Sequence, residues 1–415
     1  MSFSIVDGIA TIHLDAIGTL ALSLVLLLFG SYLRNHVAFL ERFCIPAPVA
    51  GGFTFSFIHC ILYMTGILFF DFDTAYQAPA MIAFFTCVGL ATSVTGLRKG
   101  GKDIIVYYIL CCLLIVAQSA ISIGLSFATG IEPIYGFLAG STTMVGGHGN
   151  GGSFGQTITD MGYAAGLTVG MACATFGLVS GSLLGGPFAN HLINKFKLDP
   201  SKADTSFDGA LEEIDEDTII ANPHANLIKH IALVVVIMTI GGFIVDKVST
   251  LINGVTLPPY VGGMFLGVIV RNINEKTKII EIDQHTVDDM QDVFLAVFLS
   301  IAMMSLKLWE LIDLAIPLLI ILFTQVIFIV TYARFICFPL LGKTYDTAVM
   351  LAGLVGHGLG ATPNAIANIT SVTDKYGPSK KAMFIVPIIA AAFLDLFLLP
   401  TIVITFNIAV NLMGG

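Results

Sequence analysis

Long apolar stretches separated by short polar ones run the length of the chain, and ten of them read as membrane-spanning helices. At about 20 apolar residues per span, they lie near residues 14–33, 47–70, 78–96, 104–128, 164–193, 227–248, 257–271, 290–306, 314–338 and 382–412. The seventh and eighth are short. The last is long and holds Pro387 and Pro400, so a kink or break is expected inside it. Composition agrees: 56% of residues are hydrophobic and 11% charged, against about 25% charged in a soluble domain. The pattern predicts an all-α polytopic membrane protein.

Two glycine-rich stretches interrupt this pattern. The first, GSTTMVGGHGNGGSFGQT, runs from Gly140 to Thr157, and the second, GLVGHGLGATPNAIANIT, from Gly353 to Thr370. Glycine weakens a helix by about 1 kcal/mol relative to alanine, so neither is expected to form a spanning helix. Neither can face lipid as a loop, where unpaired backbone groups are costly. Both are therefore expected as re-entrant hairpins, over 133–157 and 345–370, buried in protein or lining a wet cavity.

Orientation follows from the basic residues. With ten spans and two re-entrant hairpins, placing both termini outside leaves 17 of 19 lysines and arginines inside, among them Arg34, Arg42, Arg98, Lys99, Lys102, Arg271, Lys276, Lys278, Lys380 and Lys381. Only Lys247 and Lys307 fall outside. The N-terminus has no basic n-region and no small-residue cleavage site, so no cleaved signal is expected. Residues 195–229 carry eight acidic side chains between Asp199 and Asp217 and read as a solvated cytoplasmic linker. The seven cysteines, Cys44, Cys60, Cys87, Cys111, Cys112, Cys173 and Cys337, show no paired or metal-binding spacing and read as small apolar residues.

The linker separates two halves that resemble each other. IPAPVAGG at Ile45 answers LPPYVGG at Leu257, an offset of 212, and Gly96-Leu97-Arg98 answers Ser305-Leu306-Lys307, an offset of 209. Gly140 answers Gly353, offset 213, and His148 answers His357, offset 209. A near-constant offset argues for duplication. The expected domains are an N-terminal repeat over 1–194, the linker, and a C-terminal repeat over 230–415. Five spans is an odd number, so the second repeat must be inverted, and the two hairpins can meet near the bilayer midplane. Inverted-repeat transporters place substrate there.

Glycine-tipped hairpins present backbone N–H groups and helix N-termini, which suit an anion. Ser141, Thr142, Thr143, Asn150 and Ser153 add donors in the first, and Thr362, Asn364 and Asn368 in the second. The candidate substrate-binding residues also include Gly147, His148, Gly149 and Gly151, with Gly356, His357 and Gly358. The two histidines either cap a hairpin tip or touch substrate. No basic residue falls in the expected interior, so an anion would be held by neutral donors and dipoles. Na⁺ would help, because hard cations prefer carbonyl, hydroxyl, amide and carboxylate oxygens. Asp395, in the middle of the last span, is costly in a membrane and is read as a cation ligand or ammonium partner. Ser141 and Asn368 are the other sodium candidates. Gln118 and Gln325, in the fourth and ninth spans, read as structural interhelical hydrogen bonds. Gly177, Gly181 and Gly185, at spacing four, read as a helix-packing face.

Other classes lack support. GHGNGG at 147–152 fits GxGxxG, but no strand or βαβ unit frames it. No HExxH is present. No basic patch interleaved with aromatics favours nucleic acid. A channel would need a charged ring or repeated filter, and an enzyme a nucleophile with its base or a metal cluster; neither is visible, and no transition metal or cofactor is expected.

The chain resembles the bacterial sodium–glutamate symporter family. The resemblance rests on IPAPVAGG at 45–52, AFF at 83–85, GGHG at 146–149, MACATFGLV at 171–179, LKLWEL at 306–311 and GLGATPNAIAN at 358–368. It implies Na⁺-driven L-glutamate uptake across the bacterial inner membrane, ten spans in two inverted five-helix units, two re-entrant loops, and elevator-like movement in a homodimer. Another small amino acid or a dicarboxylate, coupled to Na⁺ or H⁺, is the alternative cargo. The family pattern reads GGHGTG and GFGLGATPTAIAN, so Asn150 and Asn364 stand in place of threonines and His357 in place of an aromatic residue.

Overall fold

The computed structural model describes residues 1–6, 8–43, 45–92, 101–203, 223–251 and 257–414. Cys44, Arg98, Lys99, the Gly96-Leu97-Arg98 repeat anchor and linker residues 204–222 lie outside these. Seven of the helices described are long and apolar enough to cross a membrane: Ala16–His36, Ala47–Met64, Lys102–Thr129, Gly166–Phe196, Asn226–Leu251, Ala315–Leu340 and Lys380–Leu412. Each matches an expected span. The chain is an all-α polytopic membrane protein in outline, and it divides into two compact units.

The first unit comprises Met1–Thr92, His148–Met171 and His224–Ala315. It holds α1 (Ala16–His36), the short α2 (Ala38–Arg42), α3 (Ala47–Met64) and α4 (Gln77–Ala91). Glycines set how closely these pack, as is usual where lipid removes the hydrophobic drive between helices. Gly30 of α1 lies against the Ala47 carbonyl, and Gly51 of α3 against that of Leu26. The sequence also predicts a helix through 65–70, but α3 ends at Met64, and Gly66 turns the chain at φ +70°. Leu68–Phe72 (β3) then pairs parallel with Ile9–Leu14 (β2), which pairs antiparallel with Ser2–Val6 (β1). This small sheet is a correction to a wholly α-helical reading, and the alternation in SFSIV and IATIHL is its signal.

The expected spans at 78–96, 257–271 and 290–306 are also resized. The first ends at Ala91. The other two correspond to α10 (Pro259–Thr277) and α11 (Gln284–Met304), each longer than its apolar part. α10 continues through Arg271, Glu275 and Lys276, and α11 opens with Asp288, Asp289 and Asp292. Hydropathy therefore sees only the apolar portion of each. With α9 (Pro223–Leu251), α4 and α11 build a core of Ala83, Cys87, Leu90, Val234, Ile237, Val287 and Met290. The unit also takes most of α7 (Gly147–Asp160) and the first turns of α8 (Gly166–Phe196).

The second unit comprises Ser93–Gly147, Ala172–Pro223 and Ile316–Gly415. Its helices are α5 (Gly101–Thr129), α6 (Pro133–Phe137), the rest of α8, α12 (Ala315–Tyr332), α13 (Phe338–Leu340), α14 (Tyr345–Leu359), α15 (Thr362–Tyr376), α16 (Lys380–Ile388) and α17 (Leu394–Leu412). π-helical turns interrupt it at Leu138–Thr142, Ala333–Cys337 and Ile389–Phe393. The last begins two residues after Pro387, which cannot donate to the helix ladder. Pro400 sits inside α17 without a break, so only one of the two prolines marks an interruption. The Tyr332 hydroxyl donates to the Leu110 carbonyl at 2.8 Å, joining α12 to α5, and Lys381 pairs with Asp103. Of the described cysteines, Cys87, Cys111, Cys173 and Cys337 are buried and Cys60 and Cys112 half-buried, all as free thiols.

Candidate functional site

The second glycine-rich stretch is a helical hairpin. α14, buried along its whole length, stops at Leu359; Gly360 leaves the helical conformation and Ala361 is extended before α15 starts at Thr362. Pro363 enforces the break: it lacks an N–H and is tolerated in a first turn but not mid-helix. The two limbs run antiparallel and close together. A Cβ on Gly356 would lie 2.7 Å from Ala365 N and Cα, and Asn368 Nδ2 donates back to the Ala352 carbonyl at 3.3 Å.

Side-chain amides fix this hairpin to its neighbours. Asn364 Nδ2 donates to the Leu178 carbonyl and Asn368 Nδ2 to that of Gly181, both at 2.9 Å, so α15 is tied to α8. The packing face expected at Gly177, Gly181 and Gly185 is the surface it rests on: these glycines abut the Leu359 carbonyl, the Gly356 carbonyl and the Asn368 side chain. From α5, Gln118 Nε2 donates to the Gly358 carbonyl at 2.8 Å, and Tyr107 hydrogen-bonds His357 Nε2 at 3.0 Å. Thr362 Oγ1 donates to the Ala390 carbonyl at 3.1 Å, within the π-helical turn that follows Pro387. The interrupted last span thus supplies an acceptor to the start of α15.

The first stretch is built differently. α6 and the π-helical turn after it lie on α5, with Gly136 beside Ser126 and Gly140 beside Ser122. Ser141 and Ser119 share a buried hydroxyl–hydroxyl hydrogen bond of 2.6 Å, and Thr143 Oγ1 donates to the Leu138 carbonyl at 2.7 Å. The helical path kinks at Gly140, whose φ/ψ are non-helical, lapses at residues 145–146 and resumes at Gly147, whose φ is +59°. A Cβ there would lie 3.3 Å from the Gly360 carbonyl, so the two glycine-rich stretches meet at this point. Beyond it α7 packs by small faces: Gly155 fits against Gly166, Gly151 against Gly170, and Gly152 against the Phe298 ring.

Several of the residues singled out from sequence come together in the second unit. Ser141, Thr142, Thr143 and Gly147 lie on one stretch, and Gly356, His357, Gly358, Thr362, Asn364 and Asn368 on the other; all are buried except half-buried Thr362. His148, Gly149, Asn150 and Gly151 form the first turn of α7 and fall in the first unit, as does Ser153, whose hydroxyl donates to the Gly149 carbonyl at 2.6 Å. Asp395 opens α17, half-buried, with no hydrogen bond or ion pair among the described residues. Tyr107, Ser119 and Ser122 were not singled out, although polar side chains within an apolar span are the signal that marks them.

The arrangement offers interrupted helices, two helix N-termini and neutral hydrogen-bonding groups, with no lysine or arginine in either stretch. The family model for the sodium/glutamate symporter matches residues 12–378. The chain is similar to a sodium/glutamate symporter of Haemophilus influenzae, 41% identical over 398 residues, covering 95% of this chain and 98% of the relative. It is 38% identical over 392 residues to sodium/glutamate symporters of Escherichia coli and Shigella flexneri, covering 92% of this chain and 95% of each. The chain belongs to the sodium/glutamate symporter family.

Proposed function

We propose that this chain is a secondary transporter of the bacterial inner membrane that couples Na⁺ entry to uptake of L-glutamate. The observation that carries this reading is the meeting of two interrupted helices at Gly147 and Gly360, which brings a break from each half of the chain to one place. Relatives matched over more than nine-tenths of the chain bear the name sodium/glutamate symporter.

Helix order supports ten spans in two inverted repeats, 1–194 and 230–415, joined by the 195–229 linker. α1, α3, α4, α5 and α8 make five, and α9, α10, α11, α12 and the α16–α17 pair make five more. α3 and α10 begin 212 residues apart, and α7 and α15 begin 215 apart, close to the offsets of the sequence repeat. Each repeat contributes its first three spans to the first unit and its fourth to the second. The fifth, except for the opening turns of α8, also goes to the second. That partition suits a scaffold and a carrier moving in an elevator-like cycle within a homodimer. α7 has 14 residues, about 21 Å at 1.5 Å per residue, which is too short to cross a hydrocarbon core of about 30 Å and suits a re-entrant limb. Both termini then face outward.

Glutamate carries two carboxylates and one ammonium. Its carboxylates would be held by backbone N–H groups and hydroxyls of Ser141–Gly147 and Gly356–Asn364, where helix N-termini favour anions. Asp395 would hold either the ammonium or a Na⁺. With at least two Na⁺ per glutamate, net positive charge enters, and an inside-negative potential adds about 2.3 kcal/mol per charge per 100 mV.

The test is uptake into proteoliposomes under an imposed Na⁺ gradient, with glutamate, aspartate and dicarboxylates in competition. Glutamate accumulation that follows the Na⁺ gradient and rises with an inside-negative potential is expected; uptake indifferent to Na⁺ overturns the reading. Asp395→Asn then separates two roles. Loss of a cation ligand weakens Na⁺ dependence, whereas loss of an ammonium partner weakens glutamate binding but spares glutarate, which lacks the amine. Unchanged Na⁺ and glutamate affinities would make Asp395 structural.

A further inference from the structure

Gln118 and Gln325 lie in the middle of α5 and α12, both fully buried. Gln325 Nε2 donates to the Gln118 carbonyl, and Gln118 Nε2 to the Gly358 carbonyl, each at 2.8 Å. Both amide nitrogens are thereby engaged with backbone oxygens. Both amide oxygens, Gln118 Oε1 and Gln325 Oε1, are buried with no hydrogen-bond partner among the described residues. Leaving a buried acceptor unsatisfied costs about 1–3 kcal/mol. As purely structural interhelical bonds, these two glutamines are an expensive choice for a membrane interior.

Their neighbourhood is specific. The other buried side-chain atoms without a partner among the described residues of this unit are Thr142 Oγ1, His357 Nδ1 and Asn364 Oδ1. His357 and Asn364 lie on the stretch that Gln118 reaches through Gly358, and Thr142 lies on the other, where a Cβ on Gly140 would lie 3.4 Å from the Gln118 carbonyl oxygen. The unsatisfied polar groups of the second unit therefore collect around one node and are not scattered through it.

The two glutamines are also related to each other. They are 207 residues apart, close to the 209–213 offset of the repeat anchors, and they occupy its fourth and ninth spans. Residues that a two-fold axis interchanges can touch only beside that axis. With the inverted repeats proposed above, the hydrogen bond from Gln325 to Gln118 would put the pair near their pseudo-two-fold axis, where inverted repeats bring their binding groups together.

We infer that the amide oxygens of Gln118 and Gln325 are ligands for a coupling Na⁺, one from each half of the chain, beside the meeting point of the glycine-rich stretches. Neutral amide oxygens suit a hard monovalent cation. They also leave its charge uncancelled, next to stretches that have no lysine or arginine with which to hold an anion. The ion supplies that positive charge, so glutamate and Na⁺ each raise the other's affinity, as reciprocal linkage requires. This inference rests on the Na⁺-coupled reading above and adds the residues that carry it.

The test uses the whole protein in proteoliposomes, with the Na⁺ concentration giving half-maximal glutamate uptake as the readout. Gln118→Met and Gln325→Met keep side-chain volume but remove the oxygen; each should raise that concentration by about tenfold or more, with uptake returning as Na⁺ is raised. Gln325→Glu keeps an oxygen and adds a charge, and should lower it. Folded methionine variants with wild-type Na⁺ dependence overturn the inference, as does weakened glutamate affinity at unchanged Na⁺ dependence. If the methionine variants do not fold, Gln325→Glu decides alone, since an unshifted Na⁺ requirement is the overturning result. Wild-type protein without Na⁺-dependent uptake would instead sink the parent reading, and the two failures are distinct.

Discussion

The two glycine-rich stretches look alike in sequence but are secured by different physics. The second is pinned by side-chain amides: Asn364 and Asn368 reach carbonyls of α8, and Gln118 reaches the carbonyl of Gly358. The first relies on shape beyond Gly147, where Gly151, Gly152 and Gly155 let α7 settle against α8 and the Phe298 ring. Amide pins fix a position and resist displacement, because breaking one strands a buried polar group. Glycine faces fix a distance and leave sliding cheap. The lesson is that a glycine count reports close approach, whereas the asparagines and glutamines near it report what is held.

The largest effect should come from adding one carbon to the second stretch, with the same addition to the first as its contrast. In Gly356→Ala the new Cβ would sit 2.7 Å from the backbone of Ala365, which cannot step aside without opening the hairpin. A loss of about 3 kcal/mol is expected, read as a lower thermal transition in detergent. In Gly152→Ala the Cβ would sit 2.7 Å from Phe298 Cζ, the end of a ring that can turn. Its overpacking is offset by up to about 1 kcal/mol of helix propensity, so the net change should be near zero. Equal losses would erase the distinction between a rigid and a yielding neighbour.

Removing the pins comes next. Asn368→Ala loses donors to the Gly181 and Ala352 carbonyls, and Asn364→Ala loses the donor to Leu178. Costs of about 2 and about 1 kcal/mol are expected, the second smaller because it also deletes the unpartnered Asn364 Oδ1. Hydrogen–deuterium exchange should quicken along α15 and stay unchanged along α7. Matching increases in both helices would mean that the stretches are secured together.

Much of this was legible in the sequence. The spans followed from hydropathy, the breaks from clustered glycine and from Pro363, and the interruption after Pro387 from its missing N–H. What escaped had physical causes. GHGNGGSFGQTITD is helical despite its glycines, because close contact with Gly166 and Gly170 outweighs a poor propensity. α10 and α11 were cut short because their charged turns carry no hydropathy signal. Gln118 and Gln325 were legible as interhelical hydrogen bonds, and so they are. Which of their atoms stay unpartnered depends on tertiary geometry that no spacing encodes.

The smallest effect concerns two serines of the first stretch, and it tests where that stretch ceases to be held by side chains. Ser141 shares its hydrogen bond with Ser119 of α5, so it ties the π-helical turn to another helix. Ser153 bonds only the Gly149 carbonyl of its own helix, four residues back, a contact that adds little to a helix and slightly disfavours it. Ser153→Ala should therefore leave stability unchanged. Ser141→Ala should cost about 1 kcal/mol, because the Ser119 hydroxyl can fall back on a carbonyl of α5. Ser141 also stands among the groups proposed to hold glutamate or Na⁺, and the loss of one such contact predicts an affinity about fivefold weaker. Thermal unfolding and Na⁺-driven uptake should be read on the same preparations. If Ser141→Ala loses stability but keeps both affinities, its hydroxyl is a packing bond. The ligand contacts of the first stretch would then have to begin beyond it, at the backbone where α7 starts.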